Sequence, residues 1–201
     1  MPVSLDLLDW RRSTFELYRA ARTDAHDDPA GALGRFRADR DRLFAEHPES
    51  PLTIADREGF EGLAYWPYDP AVRFDLAVEP AEPERLAATS LGGDAYPLER
   101  IGRVQLPFGA LDVYWIDTYG GGVFLPFRDA SAGRATYGAG RYLLDTVKGA
   151  DLGGGPGRLI VDFNYAYHPS CAYDPRWSCP LAPRANWLSA ELKAGERLRP
   201  G

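Results

Sequence analysis

The chain has 201 residues, of which 45% are hydrophobic, 12% aromatic and 26% charged. This length and composition suffice for one well-buried core, so we expect one domain with a helical appendage. The net charge of −6 and a pI near 5.1 argue against binding to nucleic acid or to an anionic membrane, because both depend on clustered cations.

The N-terminal sequence lacks the pattern of an export signal or a membrane anchor. MPVSLDLLDWRR places acids and a tryptophan where a signal peptide needs a basic start followed by an apolar run. No stretch approaches the roughly 20 apolar residues of a membrane-spanning helix. We therefore predict a cytoplasmic protein.

The pattern of residues 1–58 predicts a helical segment packed on the main domain. A second helical stretch, GALGRFRADRDRLFAE, places apolar residues on one face and charges opposite, and DAHDDPAG before it has the composition of a turn. Near the N-terminus, four apolar residues approximate a helical stripe: Leu5, Leu8, Phe15 and Tyr18. The segment is thus predicted to form a helical pair.

From Gly59 onward the hydrophobic period changes from 3.6 to 2. Short strands broken by Gly, Pro and Asp at intervals of about ten residues are typical of an antiparallel barrel or sandwich. We therefore predict an α+β fold, mainly antiparallel β, in which a barrel-like or sandwich domain over residues 59–201 forms one structural unit with the N-terminal helical pair.

Polar residues are concentrated in the last third of the chain. The segments FRDASAGRATYGAGRY, VDFNYAYHPSCAY and SCPLAPRANWLSAELKAGE hold arginines, carboxylates, tyrosines, an asparagine and both cysteines, within a pattern of half-buried strands. Polar side chains inside a β domain are costly unless they are paired. The density therefore indicates either a binding site or a structural network.

These motifs resemble the bacterial domain-of-unknown-function family numbered sixteen eighty-four. TYGAGRYL, DFNYAY, CAY, CPLAP and AGE follow the family's order, and upstream DWR and GLAYWPYDP are also similar to it. The resemblance covers most of the chain but implies no activity. His168 stands where the family pattern usually has asparagine, which argues against an essential catalytic or ligating role for it.

Two of the polar segments can be arranged as a hairpin. If TYGAGRYLLDTV pairs with RLIVDFNYAY and Arg141 lies opposite Asp162, the two side chains form a charge-assisted fork, completed by Asn164 and Tyr137. Gly138 and Gly140 would leave the other face bare for a close approach. The alternative is a buried ion pair that only fixes the strand register.

A catalytic interpretation pairs Asp129 with Asp162 as acid and base, because neighbouring carboxylates can be driven to different pKa values. The alternative for Asp129 is that it caps the turn of FRDASAG. Ser131 lacks a nucleophile-elbow pattern, so serine catalysis is disfavoured.

Cys171 and Cys179 share one proline-rich loop and predict a thiol pair or a disulfide. With His168 they offer three zinc ligands, but their spacing does not resemble a paired CxxC array, so we predict no metal. No cofactor is predicted either. Tyr167, which begins the loop, either lines the mouth of the site or packs into it as a plug, and plugging is favoured because aromatic side chains mostly pack.

Three functions remain open. The first is a small-molecule-binding β domain whose polar, arginine-containing pocket suits an anionic ligand. The second is a metal-independent hydrolase or isomerase that uses Asp129 or Asp162, and the third is a structural or interaction protein. The sequence does not predict the oligomeric state. The candidate ligand-binding residues are Arg128, Asp129, Tyr137, Arg141, Asp162, Asn164, Tyr167 and Asn186.

Overall fold

The structure is a computed structural model that describes residues 5–199. The predicted segments 1–58 and 59–201 therefore extend at their outer ends beyond the described residues. Three helices come first: α1 (Leu5–Asp24), α2 (Pro29–Glu46) and the single turn α3 (Ile54–Arg57). They confirm the predicted N-terminal helical pair.

Local chemistry fixes the start of α2. The Asp28 carboxylate accepts a hydrogen bond from the Gly31 N–H at 2.9 Å, and Pro29 occupies the first turn, where its missing N–H is harmless. The two long helices pack on each other through Tyr18 and Phe36, whose rings meet edge to face with centroids 5.0 Å apart.

Most strands belong to one antiparallel sheet with the order β3-β4-β5-β6-β7. Its members are β3 (Glu84–Thr89), β4 (Ala95–Leu106), β5 (Gly109–Ile116), β6 (Gly122–Phe127) and β7 (Arg141–Asp145). The sheet is open, with β3 and β7 at its ends, so the barrel alternative does not hold and the fold is sandwich-like α+β.

Two short ladders complete the β domain. In the first, β2 (Arg73–Ala77) pairs with β8 (Arg158–Asp162); in the second, β1 (Ala64–Tyr65) pairs with β9 (Glu196–Arg197). Both ladders are antiparallel and join segments far apart in sequence. Short 3-10 turns at 146–148, 163–165, 170–172 and 184–186 follow or connect these strands.

The predicted hairpin between TYGAGRYLLDTV and RLIVDFNYAY is wrong. Strand β7 pairs with β6, so Arg141 lies opposite Phe127, while β8 pairs with β2, so Asp162 lies opposite Arg73. The alternating pattern identifies strands correctly but carries no information about the partner strand. Among residues 5–199, the backbone pairing between the two segments is an isolated antiparallel bridge between Tyr142 and Tyr167.

Three apolar clusters of the described residues hold these layers together, and one of them packs Tyr142 of β7 against Cys179 and Trp177 of the cysteine-bearing loop. The main core joins the five-stranded sheet to the β2–β8 ladder and to the C-terminal segment, with Phe127 and Phe163 in edge-to-face contact at 5.1 Å. The second cluster joins the helices to the β domain, where Phe36 meets Tyr165 at 4.9 Å. The helical pair is thus packed against the β domain.

Candidate functional site

A cavity of about 260 Å³ lies between the helical pair and the β domain. Helices α1 and α2 form one wall, while the end of β7 and the cysteine-bearing loop form the other. The cavity is mainly apolar and aromatic, but charged side chains reach it from both walls. Its aromatic lining consists of Trp10, Tyr18, Phe36, Phe44, Tyr142, Tyr167 and Trp177.

Lys148, in the turn after β7, is an exposed charge in the lining. Its side chain is 48% exposed, and its Nζ lies 3.8 Å from Asp145 Oδ2. Surrounding protein atoms tend to lower the pKa of Lys148, but Asp145 and Cys179 raise it above its usual value. This lysine is therefore a solvent-accessible cation in the lining of the cavity.

Asp145 ends β7 beside this lysine and is only 3% exposed. Burial raises the pKa of its carboxyl group, and Lys148 and Arg11 oppose that shift. Within residues 5–199, its Oδ1 atom has no hydrogen-bond partner. A buried acceptor without a donor is uncommon in folded proteins and marks a position where a ligand or water can bind.

Both cysteines are free thiols in this structure. Cys179 is 2% exposed and lines the cavity, while Cys171 is half-buried beside it in the same aromatic cluster. A hydrogen bond from the Cys171 thiol and the charge of Lys148 together lower the pKa of Cys179 to about 6, despite its burial. Of the two alternatives predicted for these cysteines, the structure therefore has the thiol pair and not the disulfide.

A buried ion pair supports the wall contributed by α2. Arg40, which lines the cavity, donates to Glu196 Oε2 and to the Tyr65 hydroxyl, each at 2.9 Å. Glu196 Oε1 accepts from the Tyr173 hydroxyl and lies 3.2 Å from His168 Nδ1. Burial alone would raise the pKa of Glu196, but the charge of Arg40, aided by His168 and Tyr173, lowers it to about 2.

His168 is fully committed within this network. Its Nε2 atom accepts the Tyr137 backbone N–H at 3.2 Å, while Nδ1 faces Glu196. Among the described residues, no group of three or more His, Cys, Asp or Glu side chains is arranged to hold a metal ion. Helices over the same residues include none long and apolar enough to cross a membrane.

The predicted pair Arg141–Asp162 does not exist, and Arg141 instead contacts Asp129. The Arg141 Nη2 atom lies 3.3 Å from Asp129 Oδ1 and donates to the Leu192 carbonyl at 3.1 Å, while Nη1 donates to the Ala194 and Glu196 carbonyls. Arg141 is 1% exposed. It therefore anchors the C-terminal segment and does not line the cavity between the helical pair and the β domain.

Asp129 completes this anchor. Its Oδ2 atom accepts the Leu192 N–H at 2.8 Å, and its Oδ1 atom accepts the Ser131 hydroxyl at 2.9 Å. The hydroxyl contact agrees with the turn-capping alternative for Asp129. Asp162, in contrast, belongs to the β8 end, and no described residue hydrogen-bonds both carboxylates. The geometry gives no support to an acid–base pair.

Asp162 and Asn164 form a second closed network. Asp162 Oδ1 accepts the backbone N–H and the side-chain amide of Asn164 at 2.9 and 2.8 Å, and Arg73 lies 3.8 Å from Oδ2. Burial raises the pKa of Asp162, against the lowering effect of these hydrogen bonds. The Asn164 amide also pairs with both backbone groups of Asp69, at 2.9 and 2.7 Å. These contacts fix the loop before β2.

Asn186 makes the third closed network. Its Oδ1 atom accepts the Asp112 N–H at 2.8 Å, and its Nδ2 atom donates to the Asp112 and Pro126 carbonyls at 2.9 and 2.7 Å. The side chain is completely buried. Asn186 therefore joins the loop around 184–186 to strands β5 and β6, and both of its N–H donors are used within the protein.

Arg128 and Tyr137 lie on a different, shallower depression beside Trp187. The Arg128 guanidinium stacks 4.1 Å from the Trp187 ring and donates to the Gly138 carbonyl at 2.9 Å. The Tyr137 hydroxyl donates to the Cys171 carbonyl at 3.3 Å. Of the eight candidate ligand-binding residues, only Tyr167 lines the cavity between the helical pair and the β domain.

Several residues of the cavity carried no role in the sequence-based prediction. Lys148 is one of two lysines in the chain, and that rarity was an available signal. Glu196 belongs to the AGE motif, and Arg11 to DWR. The motifs marked these positions, but only the packing of α1 and α2 on the β domain places Arg11 and Arg40 at one cavity with Lys148.

Comparisons with known proteins agree with this architecture. An uncharacterized protein of Haloarcula marismortui, with a structure determined by solution NMR, is 33% identical in sequence and superposes with a TM-score of 0.59. The alignment covers 87% of this chain and 97% of that chain. No curated protein matches the sequence. Residues 58–197 match the model of the family described as "Protein of unknown function (DUF1684)", and the chain therefore belongs to that family.

Proposed function

We propose that this protein binds a small anionic molecule in the cavity between the helical pair and the β domain. The observation that carries the proposal is the accessible Lys148 ammonium group inside an aromatic cavity, beside the unpartnered Oδ1 atom of Asp145. Ligand sites are typically concave and largely apolar, with a few polar groups that fix orientation.

The hydrogen-bond donors of the lining that are not fully used support an anion as the ligand. Five groups in the lining carry charge: Arg11, Arg40, Lys148, Glu49 and Asp145. Arg40 is engaged by Glu196, and Glu49 has a partner of its own. Within the described part of the chain, the Arg11 side chain makes no hydrogen bond, and the Lys148 ammonium group contacts one carboxylate, that of Asp145, at 3.8 Å. Both cations therefore retain donors that can meet a carboxylate or phosphate.

The cavity volume limits the size of the ligand. At about 30 Å³ per water, 260 Å³ holds roughly nine waters, or a molecule of about ten non-hydrogen atoms. The aromatic lining suits an apolar or aromatic body, and the lysine suits one acidic group. Phenylacetate has this size and character and is a suitable probe.

The test is a titration with phenylacetate and its neutral counterpart phenylacetamide, followed by calorimetry and by thermal melting. We expect phenylacetate to bind more tightly and to raise the melting temperature, because a ligand at one hundred times its Kd stabilises the folded state by about 2.7 kcal/mol. Lys148→Met should weaken phenylacetate binding about tenfold and leave phenylacetamide binding nearly unchanged.

The matched control is Lys193→Met, which removes the only other lysine from an exposed position outside the cavity. Equal effects of the two substitutions, or equal binding of both probes, would contradict the proposal. Arg141→Ala and Asp162→Asn should lower stability without changing Kd, because neither residue lines the cavity.

The enzymatic and the structural interpretations differ in the support that they receive. No observation favours a hydrolase or isomerase that uses Asp129 or Asp162, since each carboxylate belongs to its own closed network. For Arg141, Asp162, Asn164 and Asn186 the networks support a structural role. A cytoplasmic location stays a prediction of the sequence.

A further inference from the structure

The cysteine pair differs from the other polar groups of the cavity because it carries a nucleophile. Cys179 forms part of the cavity wall, and Cys171 lies behind it, where the Tyr137 hydroxyl approaches its sulfur at 3.7 Å. Both thiols are free and belong to the same cluster as Tyr142 and Trp177. The Cys179 sulfur thus belongs to the cavity wall, and the Cys171 thiol is hydrogen-bonded to it.

The two thiols have opposite electrostatic environments. The hydrogen bond between them raises the pKa of Cys171, which is the donor, and lowers that of Cys179. Lys148 adds to the lowering at Cys179. Because the thiolate is the reactive form of cysteine, these surroundings distinguish an attacking sulfur from a protonated neighbour.

Independent features of the same wall point to a ligand. Asp145 Oδ1 and Trp177 Nε1 are buried polar atoms without a hydrogen-bond partner in residues 5–199, and both residues line the cavity. A small polar molecule in the cavity could satisfy one or both. The nucleophile and the unused polar groups therefore share one enclosed space.

We propose that Cys179 attacks a small anionic disulfide that enters the cavity and that Cys171 resolves the resulting mixed disulfide. The inference rests on the proposed function, because the same Lys148 ammonium group recruits the acidic end of the reagent. It adds a covalent activity to a site that would otherwise only bind.

The reaction balances in two exchanges. The Cys179 thiolate attacks one sulfur of the reagent, the reagent's S–S bond breaks, and one small thiolate leaves. The Cys171 thiol then loses its proton to that thiolate or to solvent and attacks the Cys179 sulfur, so that the second small thiolate leaves. Two protein thiols are oxidised to a disulfide, and the reagent is reduced to two thiols.

The experiment compares 3,3′-dithiodipropionate, a small dianionic disulfide, with the neutral bis(2-hydroxyethyl) disulfide on the full chain, with intact mass as readout. Wild-type protein should lose two hydrogens without keeping an adduct. Cys171→Ser should retain one propionate adduct on Cys179, and Cys179→Ser should react at least about tenfold more slowly, because Cys171 is held protonated.

Alkylation of the wild-type protein tests the nucleophile without any substitution. Iodoacetamide should modify Cys179 before Cys171, as mapped by peptide mass, with a rate that reaches half its maximum near pH 6. The ionisable groups that face Cys179 in this titration are Cys171, Lys148, Tyr137 and Tyr142. Tyr96 packs against the same cluster. Modification of Cys171 first, or of neither thiol before unfolding, would overturn the inference.

The choice of reagent separates this inference from the proposed function. Lys148→Met should slow the anionic disulfide about tenfold more than the neutral one, and Lys193→Met should slow neither. Equal slowing of both reagents would contradict the anionic class, and with it the proposed function. Preferential binding of phenylacetate without reaction at Cys179 would contradict the covalent inference alone.

Discussion

Replacement of Glu196 by glutamine should remove a defined part of the pH dependence of folding. The wild-type carboxylate is 1% exposed and is held by Arg40 and Tyr173 and by His168, whose backbone N–H donates to Oε2 at 3.1 Å. These groups overcome its burial and lower the pKa of Glu196 from 4.5 to about 2. The charged form is therefore stabilised in the folded state.

The magnitude follows from linkage between protonation and folding. A pKa depressed from 4.5 to about 2 contributes about 3 kcal/mol of stability above pH 4.5. Because the folded-state pKa is the lower one, this contribution is lost as the pH falls, and about 2 kcal/mol is gone by pH 3. Glu196→Gln should also lower stability at pH 7 by about 3–5 kcal/mol, since it leaves the buried Arg40 charge uncompensated.

The assay is urea unfolding at pH 7, 5 and 3, followed by tryptophan fluorescence. The stability difference between wild type and Glu196→Gln should shrink by about 2 kcal/mol from pH 7 to pH 3. Glu58→Gln, at an exposed position, is the control and should show a constant difference. A pH-independent difference for Glu196→Gln would refute the reasoning. If that variant does not fold, Tyr173→Phe should weaken the same pH dependence.

Three further predictions concern the closed networks and a turn. Arg141→Met should lower the free energy of unfolding by about 3–5 kcal/mol, measured with urea, because it strands the buried Asp129 carboxylate. Asn186→Ala should cost about 3 kcal/mol in the same assay, since it leaves three buried backbone groups unpaired, and a loss below about 1 kcal/mol would contradict this. Gly140→Ala should lower the melting temperature sharply, because φ is +99° and the added Cβ would lie 2.4 Å from a β6 carbonyl, whereas Gly138→Ala should be tolerated.

Gly138 and Gly140 show what the sequence could and could not predict. Both were expected to bare one face of a strand for a close approach. Gly140 does meet another backbone closely, at the end of β6, whereas the nearest atom to a Cβ on Gly138 is 3.8 Å away. The pattern TYGAGRY marks a constrained turn, but the partner that constrains it comes from the strand pairing.

For the polar motifs too, the sequence predicted one part of the outcome and the strand pairing decided the other. The sequence alone showed that Arg141, Asp162, Asn164 and Asn186 must be paired or bound, because uncompensated polar groups are costly in a β core. It could not show that Arg141 meets Asp129, since an alternating strand is compatible with any antiparallel partner. Three separate networks replaced the single pocket that was expected.

By itself, the sequence determined the family, the antiparallel α+β class and the N-terminal helical pair, because motif order, hydrophobic period and turn residues are local properties of the chain. Only the tertiary structure decided where the cavity between the helical pair and the β domain lies. The cavity combines Trp10 and Arg40 from the helices with Lys148 and Cys179 from the β domain. Sequence separation says nothing about such contacts, since they arise when apolar helix faces are buried against the sheet.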